Sequence, residues 1–134
     1  MEIKSNDATP LRPEGDRILN APVVEMNLNE FKEQIKSESA WQESDRNSVT
    51  IFKSEIMTIV LIGLRAQAEL KPHKADGLLT ITVVEGSIKF ISEQKECTVK
   101  TNQMIAVQKD IFHSVKAVKD SFLLLTQINK ISID

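Results

Sequence analysis

The chain has 134 residues, with 17 lysines and arginines against 19 aspartates and glutamates, a formal net charge of −2 and 41% hydrophobic residues. That is the length of one domain, enough to bury roughly two-thirds of the unfolded surface without a metal or disulfide staple. The mixed, nearly balanced charge excludes the basic face of a nucleic-acid binder, and no apolar run reaches the ~18 residues of a membrane helix.

Residues 1–20 carry Pro10, Pro13, Gly15 and scattered charges with little periodicity, and read as a loose arm. With Glu2 and Asp7 and no apolar centre, this start does not read as a signal peptide. Val23, Val24 and Met26 predict a short strand within Ala21–Met26, which would lay the arm of residues 1–26 on the domain or on a neighbouring subunit. A helix is predicted from Asn27 to about Ser39. Asn27 caps it, Glu30 completes a capping box, and Met26 with Phe31 forms a hydrophobic staple. Leu28, Phe31 and Ile35 make its apolar stripe, which packs on the domain's own sheet or, in a partner-binding module, on another protein. Trp41 follows as a plug for one end of the core.

From residue 48 to about 128 the pattern is of strands. Val49–Lys53 is followed by Ile56–Leu64, apolar on both faces as inside a sandwich. Ala66–Leu70, Leu78–Val84, Ser87–Ile91, Cys97–Lys100, Met104–Val107, His113–Val118 and Phe122–Ile128 follow, with turns at Pro72, Gly77, Glu85-Gly86, Ser92–Lys95, Thr101-Asn102 and Lys119-Asp120. Short strands at regular spacing with no intervening helix predict an all-β sandwich or barrel. Cys97, the single cysteine, falls in an alternating segment and reads as a small core or edge residue; one cysteine excludes an intramolecular disulfide and fits a reducing compartment, with the cytoplasm as the expected location.

The two histidines, His73 and His113, lie in stretches of similar grammar, which lets the imidazoles face each other across a small β-barrel. Ser114 adjoins His113 but points to the opposite face, so no Ser–His nucleophile pair is expected. With four glycines and no glycine-rich loop, a phosphate cradle is absent, and the scattered lysines read as solvated strand-edge charges.

From Ala66 to Ile128 the chain resembles the cupin family, jelly-roll barrels built from two short motifs that together place three histidines and a glutamate around one divalent metal. With Gly86 as the closing glycine of the first motif, its first histidine falls on His73, its second on Ala75 and its glutamate on Leu79. In the second motif the histidine falls on His113, while Asn102, Gln108, Asp110 and Ala117 hold the glycine, proline, glycine and asparagine positions. The resemblance implies a cupin domain over residues 27–134, the helix followed by a double-stranded β-helix barrel over about 48–128, preceded by the arm, with its functional centre at His73 and His113. It also implies a homodimer, paired through sheet edges and N-terminal arms.

Ala75 and Leu79 put a methyl and an isobutyl where an imidazole and a carboxylate should stand, so His73 and His113 form an incomplete set for a divalent Fe, Mn, Ni or Zn ion. Glu69 and Asp76 are the acids nearest in sequence; alternation puts Glu69 with His73, though removed from it by the bend at Pro72, and sends Asp76 the other way. The expected site is therefore a mainly apolar pocket lined by His73, Ala75, Leu79, Ile81, Met104, His113 and Leu124, with Thr80, Thr82, Thr126, Gln127, backbone or water as hydrogen-bond partners of the imidazoles. A small-molecule-binding protein without a resident cofactor is the expected function. A metal-dependent oxygenase or isomerase using both histidines is the alternative, and a structural or partner-binding module the second.

Overall fold

A computed structural model describes residues 3–129. The first two residues of the expected arm and the last five of the expected domain lie outside the described residues. In chain order the elements are β1 (Lys4–Asn6), β2 (Arg17–Asn20), α1 (Leu28–Ser37), α2 (Ser39–Glu43), β3 (Arg46–Lys53), β4 (Met57–Leu64), β5 (Glu69–His73), β6 (Leu78–Glu85), β7 (Ser87–Ser92), β8 (Glu96–Lys100), β9 (Met104–Val107), β10 (His113–Ala117) and β11 (Ser121–Ile128). Strands β3 to β11 form two facing antiparallel sheets, β3-β4-β11-β6-β9 and β5-β10-β7-β8, the all-β jelly roll expected from the strand spacing.

The five-stranded sheet carries a core on each face. Its inner face and the four-stranded sheet share a core that includes Leu64, Leu79, Ile81, Val83, Ile88, Phe90, Val115 and Leu123. Its outer face packs under the helices with Ile35, Trp41, Val49, Ile51, Leu61 and Phe122. This explains why β4 reads as apolar throughout: Leu61 enters the helix-side core and Ile62 the inter-sheet core. Trp41 is buried as expected, in the helix-side core, where it stacks on Phe122 at 5.5 Å between ring centroids. Ile35 is fully buried and Leu28 and Phe31 pack beside it, so the helix stripe is spent on the chain's own sheet and is not the exposed surface that a partner-binding module needs.

Helix α1 begins as predicted, with Asn27 Oδ1 accepting from the Glu30 amide at 3.2 Å. The strand expected at Ala21–Met26 is instead β2, Arg17–Asn20, which pairs with β1 in a hairpin, so the arm is ordered as expected but by a strand nearer its start. Pro22 has no amide hydrogen to give a ladder, and Val23 points to solvent. Strand β5 likewise starts later than the expected Ala66–Leu70, because Gln67 turns the chain with a positive φ of 72°.

The arm lies along β3, the terminal strand of the five-stranded sheet. Arg12 Nη2 donates to Ser48 O and Arg17 Nε to Thr50 O, each at 2.6 Å, so two guanidinium groups occupy acceptors on an edge that would otherwise invite another strand. Arg12 also forms a fork with Glu38, which receives further bonds from Asn47 (2.9 Å) and Gln34 (3.2 Å). Burial acts to raise the Glu38 carboxyl pKa, and the bonds from Arg12, Asn47 and Gln34 outweigh it, holding the group below the usual carboxylate value.

The β6–β7 turn depends on Gly86, whose φ of +112° suits glycine alone and whose missing Cβ leaves room for the Ser121 backbone at 2.7 Å. Gly86→Ala is expected to destabilise the fold by about 2–3 kcal/mol. Urea unfolding measures this, and a loss below ~0.5 kcal/mol would contradict the tight approach.

Candidate functional site

Two imidazoles meet at the open end of the barrel. Antiparallel pairing of β5 with β10 sets His73 directly opposite His113, with ring centroids 4.4 Å apart and planes tilted by 57°. They are therefore neighbours in one sheet and do not face each other across the barrel, because the strand order puts β10 beside β5. His113 is 2% exposed and has Phe90 stacked on it at 5.5 Å, while His73 is open to solvent.

Each ring is pinned in the same way. His73 Nδ1 lies 2.8 Å from Lys71 O and His113 Nδ1 2.9 Å from Ile111 O. A carbonyl only accepts, so both Nδ1 atoms carry a proton, which leaves Nε2 as the lone-pair position of the neutral tautomer. Among the described residues none of the expected side-chain partners bonds to these rings; backbone carbonyls do so. His113 Nε2 is buried and has no hydrogen-bond partner among the described residues. Burial pushes the His113 pKa below its ordinary value, and the nearby His73 acts in the same direction against the Ile111 bond. The inner imidazole is thus neutral.

Beside His73 opens a cavity of about 300 Å³. Its floor is the inner face of the five-stranded sheet, with Thr58, Val60 and Ile62 of β4, Leu79 of β6 and Leu125 and Gln127 of β11; its rim is His73–Asp76. Lys74 is drawn over the exposed ring of Phe112, 5.4 Å from its centroid, and Asp110 N donates to Ala75 O at 3.0 Å, tying the two rim loops together. Wider grooves follow the arm and α1, one of about 790 Å³ beside Met26–Phe31, but they bring no imidazole to an apolar wall.

Of the seven expected pocket residues, His73, Ala75 and Leu79 line this cavity. Ile81 is fully buried in the inter-sheet core, and His113 stands behind His73. Met104 is 57% exposed and points away, since Ile105 is the inward residue, paired with Ile81. Leu124 turns to the helix-side core, and Leu125 takes the inward place. The run Leu123-Leu124-Leu125 hides its phase because both faces of β11 are covered. Lys74, Asp76 and the β4 residues were not expected; the alternation Thr58, Val60, Ile62 was the available signal.

The residues do not suit a divalent metal. Among the described residues no three His, Cys, Asp or Glu side chains converge to hold one. Asp76 lines the cavity, contrary to the alternation argument, because residues 74–77 lie in a loop where alternation does not apply. It still does not complete a site with both imidazoles. Glu69 pairs across the strands with Lys116, away from His73.

Solved structures of the same architecture confirm the fold. A cupin superfamily protein from Desulfitobacterium hafniense superposes with a TM-score of 0.67 over 84% of this chain and 95% of its own, at 11% identity. The protein has the cupin fold. A cupin-2 domain protein from Shewanella frigidimarina (TM-score 0.63, 16% identity, 78% of this chain and 94% of its own) and an RmlC-like cupin from Desulfovibrio desulfuricans (0.57, 26%, 62% and 81%) share this cupin barrel. No protein-family model and no curated protein matches the sequence. Among the described residues no helix is long and apolar enough to cross a membrane.

Proposed function

We propose that this cupin-fold protein binds a small molecule in the cavity beside His73 and works without a resident metal, as a protein of the cytoplasm. The observation that carries this reading is the meeting of an apolar floor, Val60, Ile62, Leu79 and Leu125, with an imidazole whose tautomer is fixed by Lys71 O. An apolar cavity with a few placed polar groups is the general form of a small-molecule site, and about 300 Å³ is the small end of that range. The lone cysteine supports a reducing compartment.

Elemental analysis of the full chain purified without a metal-affinity tag tests the metal-free part. Substoichiometric Fe, Mn, Ni and Zn is the expected result. Stoichiometric metal that disappears in the His73→Ala, His113→Ala double variant would overturn it and favour the metal-dependent enzyme.

A further inference from the structure

The cavity mouth has an excess of acceptors, and we infer that its occupant is a small aliphatic primary amine. This rests on the binding reading above. His73 Nε2 is an acceptor because Nδ1 is committed as donor to Lys71 O. The Asp76 carboxylate on the same rim has no ion pair or hydrogen bond among the described residues. Behind them His113 Nε2 is a buried acceptor with no partner among the described residues, its ring 4.4 Å from that of His73. The one cationic side chain of the rim, Lys74, is held over the Phe112 ring. Thr58 and Gln127 can each accept or donate.

An ammonium group fits this inventory. It carries three donors and a positive charge, which suits one imidazole lone pair, one carboxylate and a hydroxyl or amide oxygen. A carboxylate would face His73 Nε2 and Asp76 as acceptor against acceptor, with the added repulsion of like charges at Asp76. The body of the ligand then lies along Val60, Ile62 and Leu125, an aliphatic surface with no polar atom to satisfy.

Backbone amide spectra of the full chain at about pH 8, where free imidazoles are neutral and alkylamines charged, are recorded with pentylamine and, separately, with pentanoate. Pentylamine is expected to shift the signals of Ala75, Leu79 and Leu125 saturably and to bind at least ten-fold more tightly than pentanoate. Asp76→Asn should weaken pentylamine about ten-fold, the effect of losing one charge-assisted hydrogen bond. Pentanoate binding as tightly as the amine, or unchanged amine binding in Asp76→Asn, overturns the amine assignment while leaving the cavity a binding site. No response to either probe overturns the amine assignment and the binding reading together.

Discussion

Arg12→Ala is expected to lower the unfolding free energy by about 3 kcal/mol, a large effect for a residue in a segment that reads as a loose arm. The Glu38 side chain is only 4% exposed, and Arg12 forms its ion pair at 2.9 Å. Removing the guanidinium leaves a buried carboxylate with only the amides of Asn47 and Gln34, and frees Ser48 O on the β3 edge. Arg12→Lys keeps the charge but cannot form the fork, and should recover only part of the loss.

The pH dependence identifies the cause. In the native protein the Glu38 pKa lies below 4.5, so this group's contribution is complete above about 4.5 and fades as pH falls through the folded-state value. In Arg12→Ala burial is no longer outweighed and the folded pKa rises, so the variant regains stability as its carboxyl takes up a proton. The difference between the two proteins should therefore shrink on acidification towards pH 4.5. His113 acts at higher pH: with its folded pKa below 6.5, its contribution is complete above 6.5 and falls as pH drops towards the folded value, equally in both proteins. Urea unfolding across this range checks the result. A pH-independent difference would show that Arg12 acts through packing alone.

Phe122→Ala is expected to cost about 3–5 kcal/mol. The ring is 1% exposed, stacks on Trp41 and lies where a Cβ on Gly63 would touch it at 2.9 Å, so its removal opens a cavity between sheet and helices that backbone contacts prevent from closing. The Trp41 fluorescence should shift as well. Should the alanine variant not fold, Phe122→Leu provides a milder test, with an expected loss of about 1–2 kcal/mol. A loss under 1 kcal/mol for the alanine variant would mean that the helix layer contributes little.

Much of the barrel was legible because strand alternation and turn chemistry are local. Gly86 marks its turn by a backbone angle that other residues avoid, and Asn27 starts α1 with its own side chain. The site was less legible. Met104 and Leu124 were misplaced because alternation loses its phase where both faces of a strand are apolar, and Asp76 because a loop has no alternation to follow. The arm was expected but its anchors were not legible, because Arg12 to Glu38 and Arg17 to Thr50 join residues far apart in the chain.

The sequence by itself determined the strand content, the turns and the helix, since these follow from the chemistry of single residues and their near neighbours. The tertiary structure decided that His73 and His113 stand side by side in one sheet, that Leu125 and not Leu124 floors the cavity, and that the arm closes the β3 edge. Those facts depend on which strands become neighbours and on which core each face meets, and both are set by long-range packing.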